Sequence, residues 1–216
     1  MKIGILFDLD GTLLDTLEDL RDSVNHTLAQ YGCPPRSMEE IRNFIGNGAK
    51  QLIALSLPGT ENDPDVDEVL AAYQAYYKTH STIKTRPYPG IPQALEALGS
   101  KYPIAIVSNK PDAATKQLCK AFFGDIYARG ESTDCPRKPA PDMLQKAMQT
   151  IGVDGCIYVG DSDVDVLTAK NAGARCLSVL WGFRNRRELT AAGAQCFCDD
   201  PAQLVTTLEN MLSEIE

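Results

Sequence analysis

An α/β fold is predicted, a doubly wound parallel sheet interrupted near its start by an all-helical segment. Three observations predict it. Short Ile- and Val-rich runs end in small or polar residues, helical patterns alternate with those runs, and one long stretch from about Thr16 to Lys84 breaks the alternation.

Ile3 to Phe7 is the first run, followed at once by acidic residues; Ile104 to Val107, Cys156 to Val159 and Cys176 to Leu180 are the others. Runs this short suit strands buried on both faces of a parallel sheet, where no polar alternation is needed. Helical periodicity covers Ile91 to Leu98, Asp112 to Phe122, Asp142 to Ile151 and Val164 to Asn171. Within the interrupting stretch, Leu17 to Tyr31, Met38 to Leu57 and Val66 to Thr82 read as helices, separated by Gly32-Cys33-Pro34-Pro35 and Pro58-Gly59-Thr60. The division expected is a discontinuous Rossmann-like α/β core, residues 1–15 and 86–216, and a helical cap, residues 16–85.

With 216 residues, 44% of them hydrophobic, the chain can bury a sizeable core. Its 21 Lys and Arg against 29 Asp and Glu give a net charge of -8, a surface that repels polyanions, so nucleic acid is a poor partner. The N-terminal residues lack the longer apolar run of a secretory signal, and no stretch approaches a membrane span, so a cytoplasmic protein is expected. Seven scattered cysteines fit reduced thiols. Cys196 and Cys198 would share one face of a short strand, as buried structural groups. His26 and His80 fall on helices and read as surface histidines.

In open α/β sheets ligands bind outside the carboxyl ends of the strands, so the residues after each strand are the ones to collect. They are Asp8-Leu9-Asp10-Gly11-Thr12, Ser108-Asn109-Lys110 and Gly160-Asp161-Ser162-Asp163-Val164-Asp165, with Lys138 in Arg137-Lys138-Pro139 ahead of another helix. Carboxylates converging at one sheet edge repel, and a hard divalent cation relieves that repulsion. Mg²⁺ takes one or two carboxylates, some waters and a phosphate oxygen, which suits Asp8 and Asp161. The Asp161-Ser-Asp163-Val-Asp165 spacing opens like an EF-hand loop but then places Val166 and Ala172 where Gly and an acid are required. Taken singly, each acid also reads as a turn former or helix cap, and Lys138 as a solvated lysine. Ser108 and Asn109 are expected at a helix N-terminus ahead of Pro111, where backbone N–H groups would face a phosphate.

Together these four segments, in this order, resemble the motifs of the haloacid dehalogenase-like phosphatases, and the resemblance runs from end to end. It implies Asp8 as nucleophile, Asp10 as acid and base with its backbone carbonyl on the metal, Ser108 and Lys138 on the phosphoryl group, and Asp161 as metal ligand. It further implies Mg²⁺ as cofactor held by Asp8, Asp10 and Asp161, with Asp165 supporting them and Asp163 without a role. Thr12 and Asn109 are candidate phosphate donors. Dehalogenases of this type lack the second aspartate, so Asp10 favours phosphate esters.

A helical insertion after the first motif is similar to that of the small-cap subgroup containing phosphoglycolate phosphatases, PpaX-type pyrophosphatases and β-phosphoglucomutase. Asn43 to Gly48 resembles the specificity loop of the first of these, which implies substrate contacts from Gly46, Asn47 and Gly48, assisted by Arg42 or Lys50; a helix-breaking bend is the equal alternative. Hinge-like connections to such a cap would let it open and close. The expected activity is therefore Mg²⁺-dependent hydrolysis of a small phosphorylated metabolite through an aspartyl-phosphate, by a monomer or homodimer. A mutase or pyrophosphatase of the same superfamily is the alternative, and a phospho-receiver is disfavoured by the Asp8-x-Asp10 spacing and the insertion.

Overall fold

The computed structural model describes residues 2–215. The chain forms two compact units, one made of the residues up to Asp15 and again from Pro87, the other of Thr16–Arg86.

The first unit is built on six parallel strands: β1 (Ile3–Phe7), β4 (Ile104–Pro111), β5 (Tyr127–Glu131), β6 (Gly155–Gly160), β7 (Arg175–Val179) and β8 (Cys196–Cys198). Two-residue strands, β2 (Leu14–Asp15) and β3 (Arg86–Pro87), lie where the chain leaves and re-enters this unit. The sheet order is β5-β4-β1-β6-β7-β8. The path thus runs outward from β1 to one edge, returns to the centre at β6, and runs to the other edge. The reversal lies between β1 and β6, where Phe7 pairs with Val159, and such a switch point opens a crevice at the strand ends.

Alternate residues of each strand serve opposite layers. Ile5, Phe7, Ile106, Ile157, Val159, Leu177 and Val179 pack on one side against α5 (Ile91–Gly99), α6 (Asp112–Phe123) and α10 (Leu204–Ser213). Leu6, Ala105, Val107, Cys156 and Tyr158 pack on the other against α7 (Asp142–Ile151) and α8 (Asp163–Ala172). Helix α9 (Arg186–Ala192) contributes Leu189 to a smaller cluster with Val166 and Ala194. Burial on both faces is why the strands read as unbroken apolar runs. Edge strand β5, with Arg129 and Glu131 partly exposed, carries no such run and is not legible that way.

One expectation is corrected here. Ser108 and Asn109 do not open a helix but lie in β4, which extends to Pro111, and the register with β5 shifts between Val107 and Pro111. Irregularity of this kind re-aims side chains at a strand end.

The second unit contains α1 (Leu17–Gln30), α2 (Met38–Phe44), α3 (Gly48–Ser56) and α4 (Val66–His80). Leu17, Leu20, Val24 and Leu28 form the buried stripe of α1, and Val69, Tyr73 and Tyr77 that of α4. Met38 to Leu57 is not one helix. The backbone turns at Gly46 (φ 121°) and Gly48 (φ 79°), conformations in which a Cβ is disfavoured, and α2 stops at Phe44. Buried Asp19 accepts hydrogen bonds from the backbone N–H groups of Lys84 and Thr85 and from Thr85 Oγ1, tying the return segment to α1. His26 and His80 sandwich Tyr76, each with ring centroids 3.7 Å from it. Among the described residues no helix is long and apolar enough to cross a membrane.

Candidate active site

Asp8 follows β1 directly, and its backbone N–H donates to Val159 O of β6 at 2.8 Å, which fixes it at the switch point. Lys138 meets it there from the loop before α7. The ammonium Nζ lies 2.9 Å from Asp8 Oδ1 and 2.7 Å from Asp165 Oδ1, and donates to the Tyr158 hydroxyl at 2.8 Å. Only 2% of the Lys138 side chain is exposed. Its backbone is clamped as firmly: Asn109 Nδ2 donates to Lys138 O, and Lys138 N donates to Asn109 Oδ1, both at 2.9 Å.

Asp165 stands in the first turn of α8, where its carboxylate accepts from Ser162 N and Oγ in a capping box. The local reason is the Ser162-x-x-Asp165 spacing, and the consequence is a buried acid aimed at Lys138. Asp161 precedes the helix and accepts from Thr12 Oγ1 at 3.1 Å and from the Phe183 backbone N–H at 2.7 Å. Two glycines make room for it. A Cβ on Gly11, whose φ is +81°, or on Gly182 would collide with the Asp161 side chain.

Asp8, Asp161 and Asp165 each place a carboxylate oxygen so that all three lie within 4.8 Å of one another. Lys138 meets two of these three acids, Asp8 and Asp165. Burial therefore pushes the Asp8 carboxyl up to about 7, reinforced by Asp165 and opposed by Lys138. Burial likewise holds Asp161 well above the carboxylate range, with Asp165 and Asp8 adding to it. Burial acts to lower the Lys138 pKa, but Asp165 and Asp8 outweigh it and the ammonium is retained beyond the ordinary lysine range. Hard oxygen donors carrying excess negative charge fit a divalent cation.

The sequence-selected residues of the first unit are thus gathered at one place. Ser108 is buried and accepts from Lys110 N at 3.3 Å, while Asp10 pairs with Lys110 at 2.9 Å. Thr12 and Asn109, selected as phosphate donors, here steady Asp161 and the Lys138 backbone. Asp163 lies 3.7 Å from Arg184 Nε. Gly46 and Gly48 flank Asn47, the N-terminal cap residue of α3 in the helical unit, and there Lys50 pairs with Asp67 at 2.6 Å.

Three contributors were given no role from sequence. Tyr158, fully buried, bridges Lys138 and Asp165, with its hydroxyl 3.0 Å from Val107 O. Lys110 holds Asp10. The segment Trp181-Gly182-Phe183 supplies an N–H to Asp161 and, through Trp181 Nε1, a 3.0 Å bond to Thr12 O. The cysteines stay with the structural reading: all seven are free, and burial pushes Cys119, Cys156 and Cys176 up to about 12.

An aspartate at the end of the central strand, a buried lysine and an acidic cluster thus meet at the switch point, the arrangement expected of a haloacid dehalogenase-like hydrolase. The model of the haloacid dehalogenase-like hydrolase family matches residues 5–179, and the chain belongs to that family. It is 38% identical over 189 residues to a phosphoglycolate phosphatase of Cereibacter sphaeroides, covering 84% of this chain and 87% of that protein. Among solved structures it resembles a protein of Lactobacillus delbrueckii subsp. bulgaricus proposed to be a phosphoglycolate phosphatase (TM-score 0.86, 34% identity, 95% and 97% of the two chains). It also resembles CbbY of Rhodobacter sphaeroides in complex with phosphate (TM-score 0.81, 27% identity, 97% and 100%).

Proposed function

We propose that this protein is a Mg²⁺-dependent phosphatase of small phosphate monoesters, phosphoglycolate phosphatase-like, working through a phosphorylated Asp8. The observation that carries the proposal is the buried contact of Lys138 with both Asp8 and Asp165 beside Asp161. The names of the relatives and the phosphate of CbbY support it.

Asp8, Asp161 and the Asp10 backbone carbonyl would hold Mg²⁺, whose charge offsets that of the phosphoryl oxygens. An Asp8 oxygen attacks phosphorus in line as the bond to the leaving oxygen breaks, and Asp10 gives that oxygen a proton. Water then attacks the phosphorus of phospho-Asp8, Asp10 takes the proton, and phosphate departs with Asp8 restored. Lys138 offsets the charge on Asp8 and the phosphoryl group, and Ser108 hydrogen-bonds a phosphoryl oxygen. Asp165 and Tyr158 keep Lys138 in place. Substrate selection is assigned to the helical unit, with Gly46, Asn47 and Gly48 as its contact residues.

The test is phosphate release from a panel of esters. EDTA is expected to stop turnover and Mg²⁺ to restore it, with Ca²⁺ ineffective because its larger, looser coordination disturbs in-line geometry. 2-Phosphoglycolate or another compact ester should exceed nucleotides and phosphopeptides in kcat/KM. Full activity in rigorously metal-free protein, or a preference for bulky esters, sinks the proposal.

Gly182 offers a separate check on the cation. Gly182→Ala forces Asp161 aside, and the Mg²⁺ concentration giving half-maximal activity should rise by about tenfold or more, the usual cost of disturbing a ligand's support. An unchanged Mg²⁺ titration would remove Asp161 from the ligand set.

A further inference from the structure

We propose that Lys110 is a positioning residue that aims the Asp10 carboxylate at the leaving-group oxygen. The proposal rests on the reading of Asp10 as the acid and base.

The observation is a buried ion pair with one of its oxygens left over. Lys110 Nζ lies 2.9 Å from Asp10 Oδ2, with 4% of the lysine side chain and 11% of the aspartate side chain exposed. Asp10 Oδ1 is also buried, and among the described residues it has no hydrogen-bond partner. Burying a lysine and a carboxylate together gains little stability over a well-packed apolar pair, because both must be desolvated. An oxygen left unpartnered in that setting adds a further cost. The arrangement makes sense if the pair serves the free oxygen. With Oδ2 held by Lys110, rotation of the carboxylate is restricted and Oδ1 is the atom presented for proton transfer.

The ammonium can act as a fixed post because its backbone is held. Lys110 lies in the irregular end of β4, where the register shifts. Its N–H donates to Ser108 Oγ at 3.3 Å, and its carbonyl accepts from Thr115 Oγ1 at 3.1 Å. Gly130 lies so close that a Cβ there would stand 2.5 Å from the Lys110 carbonyl. The same strand end therefore organises two halves of the chemistry: Asn109 grips the Lys138 backbone, and Lys110 grips the Asp10 carboxylate.

A positioned acid matters only when the leaving group needs a proton. p-Nitrophenolate leaves without one, whereas an alkoxide does not. In single-turnover experiments with Mg²⁺ and the full chain, Lys110→Met should slow alcohol release from an alkyl phosphate by about 100-fold, the scale of general acid catalysis. Release of p-nitrophenol should slow by under about tenfold. Lys110→Arg should recover part of the loss on the alkyl ester. In the Asp10→Asn background, Lys110→Met should cost nothing further, because a residue acting only through Asp10 has nothing left to position.

Equal losses on both esters, or an additive loss in the double variant, would overturn the proposal. So would a loss that follows the charge of the substrate instead of the basicity of its leaving group, because Lys110 would then be reading the substrate itself. Should Lys110→Met not fold, Lys110→Gln, which keeps a donor near Asp10 without the charge, carries the same comparisons. A wild-type protein that hydrolyses none of the esters would defeat the phosphatase reading as a whole, an outcome distinct from failure of the Lys110 assignment.

Discussion

Asp8→Asn is expected to lower phosphate release by at least about 10⁴-fold, the scale on which loss of a covalent nucleophile is felt, while the protein stays folded. The amide keeps the shape of the carboxylate but removes the attacking oxygen and one charge from the acidic cluster. Trapping with acid should recover phosphorylated wild-type protein and none from the variant. A variant retaining more than a small fraction of turnover would rule out the covalent route. The same substitution has a stability signature. Unfolded, Asp8 ionises near 3.8; folded and metal-free, it keeps its proton to about 7, chiefly because it is buried. Between those values the folded state binds more protons, so this group makes unfolding easier as pH rises from about 4 to 7. The Tm of metal-free wild-type protein should therefore fall relative to Asp8→Asn across that window, and Mg²⁺ should narrow the gap by binding the folded state. Parallel Tm curves for the two proteins would show that ionised Asp8 carries no net penalty.

Lys138→Met should be the more damaging change, because it strikes stability and turnover together. Removing one partner of a buried ion pair leaves an uncompensated charge and costs about 3–5 kcal/mol. Here two partners, Asp8 and Asp165, are left facing each other, with the Tyr158 hydroxyl losing its donor. The raised lysine pKa means that Lys138 keeps its charge at neutral pH, and its stabilising contribution is lost only as pH rises beyond the ordinary lysine range. Denaturant unfolding at pH 7 should show the loss, and turnover of whatever remains folded should fall by about 10²–10³-fold. Lys138→Arg should not rescue it. The planar guanidinium is larger and cannot occupy a site where 2% of the lysine side chain is exposed without displacing Asp165 or Tyr158. Near-normal stability and activity in Lys138→Met would contradict the central place given to this residue.

What could be read without coordinates divides along physical lines. Ile3 to Phe7 and Cys156 to Val159 were legible because two-sided burial demands unbroken apolar runs, and the acids after them because strand ends are where ligands bind. Lys138 became meaningful only through the family resemblance, since nothing local marks it as buried. The Lys110 to Asp10 and Tyr158 to Lys138 contacts were not legible: their partners lie far apart in the chain, and the sheet order brings them together. Thr12 and Asn109 were chosen as polar groups near the site, but which polar atom each one meets is decided by packing. The break between α2 and α3 lay within a segment already suspected of a bend, yet Ile41, Leu52 and Ile53 continue an apolar pattern that a single helix also satisfies.

The central position of β1 also governs when the protein can acquire its structure during synthesis. Ile3 pairs with Gly155 and Ile5 with Ile104, so the first strand made has to wait for partners emerging far later. At about 5–20 residues per second, β6 follows β1 by roughly 8–30 s. During that interval an apolar strand has an open edge, and both edges until β4 emerges, an aggregation hazard of the kind long-range pairing creates. The helices of Thr16–Arg86, whose neighbours are close in sequence, can organise in the meantime. Nascent chains stalled before β6 are therefore expected to protect the helical segment from protease while leaving Ile3–Phe7 dependent on a chaperone.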